Sequence, residues 1–120
     1  MSSSQLIGKL RAQRTEWVDL TDEGDKGERI SFARPPEAEW RSLTAGVTLE
    51  HLRRYCNGWS GFTEATVLGE SVGSSDPIEF DADLCVEILS DRGDWLAKVA
   101  NKIVESVNRR FEERRAALGN

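Results

Sequence analysis

The sequence contains few of the residues that catalysis and metal binding usually require. It has two cysteines and one histidine among 120 residues. Two cysteines do not form a disulfide framework, and we expect them to be small buried side chains in a reducing compartment. The sequence also lacks a phosphate-binding loop and any cluster of ligand residues with metal-binding spacing. It therefore predicts no cofactor, no metal site and no small-molecule substrate.

Long apolar runs are missing as well. No stretch approaches the ~18 apolar residues that a membrane span needs, and the N-terminus has no apolar signal core. We therefore expect a cytoplasmic protein with no membrane contact. Hydrophobic residues make up 38% of the chain and charged residues 31%, with four Trp and four Phe as large apolar anchors. This composition predicts one domain with a small core.

Charge is unevenly distributed along the chain. The net charge of −5 argues against a dedicated nucleic-acid binder. Residues 64–94 contain nine acids and one base, whereas residues 98–115 contain six bases and three acids. The two regions are either solvated faces or the two halves of a head-to-tail pairing surface in a homo-oligomer. In the second case, the outer end of the last helix is the candidate interaction surface, with the residues Arg109, Arg110, Phe111, Arg114, Arg115 and Leu118.

Local patterns in the first half predict a hairpin followed by short helices. Residues 1–14 are expected to be a flexible tail or a loose helix, ahead of a single domain over residues 15–120. Residues 16–20 and 29–33 alternate as strands do, with a polar turn between them. Pro35 and Pro36 open a short helix, and Thr48 is expected to cap a second helix that runs to Asn57.

The second half predicts an aromatic turn over residues 58–62, a flexible loop over 69–75 and two helices. Asp81 is expected to cap a helix from Ala82 to about Ser90, and Asp91 or Asp94 to cap the last helix. Apolar residues recur every fourth position along that last helix, as on one helical face, at Trp95, Val99, Ile103, Val107 and Phe111. The residues predicted to be buried together are Trp59, Phe80, Leu84, Ile88, Trp95, Val99 and Ile103. The fold class is α+β, mostly α: an N-terminal β-hairpin packed on a small helical bundle with a long C-terminal helix.

An enzymatic alternative depends on three residues. Residues 58–62 read GWSGF, which is close to the G-x-S-x-G turn of serine hydrolases, but Phe62 replaces the last glycine. His51 could serve Cys56 or Ser60 as a base, although His51 and Cys56 would not face each other well on one helix. A small cysteine or serine hydrolase is therefore the less favoured alternative, and we expect a protein that is not an enzyme.

The run NGWSGFTEATVLGESVGSSDPIEFDADLCVEILSDRGDW resembles a pattern of phage tail assembly chaperones and related small prophage tail proteins of long-tailed phages. In that pattern a helix ends in a Gly-Trp-x-Gly turn, and a variable loop, a DP-apolar-x-F-D helix start and a long helix with a Trp follow. The upstream segments WVDL and RISFARPPEAEW are similar to the family's hairpin and Arg-Pro-Pro entry. The resemblance covers most of the chain after Thr15.

The resemblance implies a mostly helical α+β fold and a role in tail morphogenesis inside a bacterial host cell. The implied partners are the tape-measure protein, which the chaperone would keep soluble, and the tail-tube protein. The family pattern includes a longer frameshifted product, and this chain would correspond to the short form. A structural or adaptor subunit of the tail remains the alternative. The resemblance implies no catalytic residue.

Overall fold

The first element is a helix that lies outside the core. The computed structural model describes residues 1–119, except for the side chain of Asp25. Its first helix, α1, spans Ser3–Gln13. The hydroxyl of Ser2 accepts the N–H of Gln5 at 3.2 Å, and the Gln5 side chain accepts the N–H of Ser2 at 3.0 Å. This reciprocal capping favours a helix over an irregular tail. No residue of α1 is buried, and the expected flexibility of residues 1–14 stays a prediction.

The sheet has three antiparallel strands in the order β1-β2-β3. β1 (Thr15–Asp19) pairs with β2 (Arg29–Ala33), with Thr15 opposite Ala33 at one end and Asp19 opposite Arg29 at the other. This hairpin confirms the two predicted strands. β2 has the predicted bounds, whereas β1 begins and ends one residue earlier than predicted. β3 (Cys56–Ser60) then pairs with the free edge of β2 and places Trp59 opposite Ile30.

The third strand corrects the prediction of an aromatic turn over residues 58–62. Residues 58–60 belong to β3, and the turn is limited to Gly61, whose φ is 80°. A strand fits here because the backbone at Gly58 lies against the Ser31 side chain, where a Cβ atom would come within 2.8 Å of Oγ. Pairing with a distant strand therefore overrides the local turn signals of the two glycines.

Five more α-helices follow α1 in the described residues 1–119. A 3-10 turn at Glu37–Glu39 leads into α2 (Trp40–Ala45), which is followed by α3 (Leu49–Tyr55) before β3. After β3 come α4 (Glu64–Leu68), α5 (Ala82–Asp91) and α6 (Gly93–Leu118). The helical content and the hairpin confirm the predicted mostly α, α+β class.

The predicted helix caps are confirmed at two starts and wrong at the third. Thr48 accepts the N–H of His51 at 3.2 Å, and Asp81 accepts the N–H of Leu84 at 2.9 Å. Neither Asp91 nor Asp94 caps α6, because Asp91 is still part of α5 and Asp94 already lies in the first turn of α6. Arg92 alone separates the two helices, so the chain has no room for a separate capping residue.

The core forms where α6 and α5 pack with the sheet. Trp95, Val99, Ile103 and Val107 are between 0% and 4% exposed, which confirms the apolar stripe of α6 except at its last member, Phe111, which is 36% exposed. Of the seven residues predicted to be buried together, Ile88, Trp95, Val99 and Ile103 are buried. The other three, Trp59, Phe80 and Leu84, are partly buried and pack against this core.

Phe62, 2% exposed, is the centre of an aromatic cluster in that core. Its ring stacks on Trp59 at 4.4 Å between centroids and meets the edge of Trp95 at 5.8 Å. Trp59 in turn meets Phe80 edge-on at 5.2 Å and donates its indole N–H to the carbonyl of Ile78. The cluster therefore joins β3, the segment before α5, and the first turn of α6.

Two polar contacts show the direction of α6 along β1. Lys98 Nζ donates to the carbonyl of Leu20, just after β1, and Ser106 donates to the carboxylate of Glu16, near its start. The helix therefore runs from the hairpin turn toward the end of the sheet where β1 begins. Its 26 residues span about 39 Å at 1.5 Å per residue, so the last turns continue beyond that end.

We predict that Trp95→Ala unfolds the protein or lowers its free energy of unfolding by about 3–5 kcal/mol, because it empties a large volume beside Phe62. Such a loss is comparable to the total stability of a small domain. Trp17→Ala is the matched control, since Trp17 is 41% exposed on the edge strand β1. Thermal and urea unfolding measure the stability of both variants. Equal stability of the two variants would show that Trp95 does not support the core.

Candidate interaction surface

The surface predicted at the end of α6 is partly used inside the chain. Arg109 Nη2 donates to Glu16 Oε1 at 2.8 Å, and Ser106 donates to the other oxygen of the same carboxylate. Burial raises the pKa of Glu16, but the hydrogen bonds from Ser106 and Arg109 outweigh that effect and hold the pKa below its usual value. Arg109 therefore anchors α6 to β1, while its side chain remains 46% exposed.

Two further members of the predicted surface contact the segment around α2. Arg114 Nη1 donates to Glu37 Oε2 at 2.5 Å. The ring of Phe111 stacks on Trp40 with a centroid distance of 5.6 Å, and the Trp40 indole N–H donates to Asn108 Oδ1. Phe111 is still 36% exposed. The remaining three residues, Arg110, Arg115 and Leu118, are exposed.

A groove lined by arginines lies beside this part of α6. Two adjoining cavities of about 300 Å³ and about 500 Å³ share Arg14, Arg34 and Pro36 in their walls. We call them together the arginine groove; the arginines that line it are Arg11, Arg14, Arg34, Arg54, Arg110 and Arg114. Arg54 bonds Glu39 at 3.2 Å and Arg114 bonds Glu37, so two of the six have acidic partners within the chain.

The sheet register explains why these arginines meet. Arg14 precedes β1 and Arg34 follows β2, and the two strands pair so that Thr15 lies opposite Ala33. The N–H of Arg34 donates to the carbonyl of Arg14 at 2.8 Å, which continues the ladder by one step. Only Arg110 and Arg114 of the groove belong to the predicted surface. The sequence analysis missed the other four, because the predicted hairpin had no register that could place residues 14 and 34 side by side.

An apolar helix face is a second exposed feature. Leu6, Ile7 and Leu10 of α1 are between 48% and 51% exposed, and they recur with helical spacing. Leu118, at the end of α6, is 79% exposed. Apolar side chains that share one helix face usually pack against another element. Among residues 1–119, none buries this face of α1.

The residues of the hydrolase alternative are engaged elsewhere. His51 Nδ1 accepts the N–H of Thr48 at 3.0 Å, and Nε2 lies 3.0 Å from the hydroxyl of Ser42. Cys56 is buried against Cys85, and the hydrogen bond with that thiol together with burial raises the pKa of Cys56 above its usual value. Ser60 is exposed at the end of β3. The structure therefore does not join these three residues into a catalytic group.

Comparison with protein-family models, with curated proteins and with solved structures finds no significant match for this chain. Among the described residues, no group of three or more His, Cys, Asp or Glu side chains is arranged to hold a metal ion. None of the helices in residues 1–119 has the length and apolar character that a membrane crossing requires.

We predict that Glu16→Gln destabilises the protein by about 1 kcal/mol at neutral pH, because the charge-assisted hydrogen bond from Arg109 is weakened. The pKa of Glu16 is lower in the folded than in the unfolded chain. The stability that its charge contributes is therefore fully present above the unfolded-state pKa of about 4.3, and it is lost as the pH falls through the folded-state pKa. Urea unfolding from pH 7 downward should therefore show a difference between wild type and variant that shrinks below about pH 4.

The control for this measurement is Glu112→Gln, an exposed carboxylate farther along the same helix. It should change stability little at any pH, since surface substitutions usually stay within about 0.5 kcal/mol. A Glu16→Gln effect that does not shrink at any acidic pH at which both proteins stay folded would show that the carboxylate charge does not carry the interaction.

We predict that neither thiol reacts with Ellman's reagent in the folded protein, because Cys56 and Cys85 are both buried and the raised pKa of Cys56 suppresses its thiolate. Both thiols should react once the chain is unfolded in guanidinium. Ser75→Cys, which adds a thiol at an exposed loop position, is the positive control in the folded state. Rapid labelling of native Cys56 would restore the hydrolase alternative.

Proposed function

We propose that this protein is a non-enzymatic tail assembly chaperone of a long-tailed phage. It would act in the cytoplasm of the bacterial host, where it would hold the tape-measure protein soluble and bring it together with tail-tube subunits. The resemblance of residues 57–95 to the tail-chaperone pattern supports this class of function. The structural observation that supports it best is the exposed apolar face of α1.

The α1 face fits a helical ligand. A long helical protein such as a tape-measure protein exposes apolar stripes before assembly, and a second helix with apolar spacing can cover such a stripe. Leu6, Ile7 and Leu10 provide that spacing without any contribution to the core. Binding at α1 would therefore leave the folded body unchanged. The exposed Leu118 and the partly exposed Phe111 offer apolar contacts at the end of α6 for the same ligand.

The proposal predicts that co-expression keeps a candidate tape-measure protein in the soluble fraction and allows the two proteins to be isolated together. The double variant Leu6→Ser, Leu10→Ser should lose this effect, because it removes the apolar face. The matched control is Leu49→Ser, Leu68→Ser, since those leucines are 45% and 54% exposed on α3 and α4. The soluble fraction of the tape-measure protein is the readout.

Two results would contradict the proposal. One is a tape-measure protein that remains insoluble in the presence of the folded wild-type chain. The other is equal behaviour of the α1 variant and its control, which would exclude α1 as the binding face. Mass spectrometry of purified tails tests the alternative role: a chaperone should be absent from them, whereas a structural or adaptor subunit of the tail should be retained.

A further inference from the structure

Two hydrogen bonds fix which residues of β1 face β2. The N–H of Arg34 donates to the carbonyl of Arg14 at 2.8 Å, and the N–H of Leu20 donates to the carbonyl of Glu28 at 3.0 Å. Successive residues of an antiparallel strand face alternately toward and away from the partner strand, so the even-numbered residues of β1 bond β2. The N–H and C=O groups of the odd-numbered residues point to the outer edge of the sheet. These residues are Thr15, Trp17 and Asp19.

That outer edge is open along its whole length. β1 is the first strand in the order β1-β2-β3, and no strand pairs with its other side. Among the described residues, no backbone hydrogen bond uses the outward N–H and C=O groups of Thr15, Trp17 and Asp19. A row of alternating donors and acceptors of this kind is a template for a further strand.

A groove runs along the open edge, between β1 and α6. Its volume is about 390 Å³, and β1 contributes residues 17–19 to its wall. The other wall is a polar stripe on one face of α6, formed by Lys98, Asn101, Lys102 and Glu105. Neither β2 nor β3 lines this groove, so it lies on the outer side of β1. We call it the edge groove.

The side chain of Trp17 adds an apolar surface to the edge groove. Trp17 is 41% exposed, on the sheet face that points away from α6. The guanidinium of Arg29 lies 4.8 Å from the centre of the Trp17 ring, and its Nε donates to Asp19 at 2.7 Å. An exposed Trp beside an Arg is typical of the residues that contribute most to binding energy at protein interfaces.

We propose that the edge groove binds an extended peptide segment of another protein, which joins the three-stranded sheet as a further strand beside β1. A strand supplies the alternating donors and acceptors that the edge groups require. A helix does not, because its backbone groups already bond one another. The α1 face takes no part in this contact, so the inference does not rest on the proposed function.

The two sides of the edge groove indicate the side chains of this segment. Alternate residues of an added strand would lie beside Trp17 or face the polar stripe of α6. The first set is therefore apolar. The second set faces Lys98, whose Nζ bonds only the carbonyl of Leu20, and Lys102, which is 3.5 Å from Glu105. Because the stripe has two lysines and one glutamate, it favours carboxylates. The segment thus alternates apolar and acidic residues.

Binding of a synthetic peptide tests the proposal first. The probe is the fluorescein-labelled peptide TVEVEVT with blocked termini, and fluorescence anisotropy measures its dissociation constant. Two further peptides are N-methylated at two valines or at both glutamates, which removes N–H donors on one edge only and keeps every side chain. One of them should bind like the parent, and the other should bind at least about tenfold more weakly. With valines beside Trp17, an antiparallel strand loses binding on methylation of the valines and a parallel strand on methylation of the glutamates.

Two variants of the protein test the side-chain contacts. Trp17→Ala and Lys102→Glu should each raise the dissociation constant at least about fivefold, because they remove the apolar contact and one cation. The matched controls are Leu68→Ala, at another exposed apolar residue, and Lys9→Glu, which makes the same charge change on α1. Both controls should bind as wild type does. Circular dichroism and thermal melts establish that each variant is folded.

Hydrogen exchange followed by NMR locates the added strand. Saturating peptide should slow exchange of the N–H groups of Trp17 and Asp19 at least about tenfold, because they gain hydrogen bonds. The N–H groups of Glu16 and Val18 already bond β2 and should change little. This alternation within one strand separates strand addition from unspecific contact with the Trp17 ring.

Four results would overturn the proposal. The first is no saturable binding of the peptide up to about 1 mM. The second is equal behaviour of the two N-methylated peptides, and the third is unchanged exchange at Trp17 and Asp19 when the peptide is bound. The fourth is a dimer in sedimentation velocity without peptide, with Trp17 and Asp19 already protected, which would assign the edge groove to a second copy of the chain.

Discussion

The position of α6 along the sheet is the constraint on which the other features depend. Four apolar residues at four-residue spacing, from Trp95 to Val107, are almost completely removed from solvent. Burial of each such side chain contributes roughly 1.5–3 kcal/mol, so together they are comparable to the whole stability of a small domain. A shift of α6 by one residue would expose this stripe. The helix is therefore held in one rotation and one register.

Polar contacts then give the helix its direction and separate the charges. Lys98 is held at the end of β1, and Ser106 and Arg109 are held at its start by Glu16. This direction brings the basic half of α6 to the strand ends where Arg14 and Arg34 already lie side by side. The acidic region between α4 and α5 remains at the hairpin turn. The uneven charge along the sequence thus becomes a separation of basic and acidic groups between the two ends of the sheet.

The surface that remains after folding has two unlike parts. The α1 face is apolar and helical. The arginine groove is charged and concave, and Glu37 Oε1 in its wall has no hydrogen-bond donor among the described residues. The residues suggestive of catalysis serve the fold instead: His51 caps α3, and Cys56 packs against Cys85.

The sequence alone determined the features that depend on near neighbours: the bounds of β2, the caps at Thr48 and Asp81, and the four-residue period of α6. Each is set by residues within one or two turns, so local chemistry suffices. Only the tertiary structure decided that residues 56–60 form a third strand, because that depends on the free edge of β2. It also decided that Arg109 and Arg114 of the predicted surface pair with Glu16 and Glu37, and that Arg11, Arg14, Arg34 and Arg54 form a groove with Arg110. Partners so far apart in sequence leave no local pattern, since they meet only after the sheet and α6 are packed.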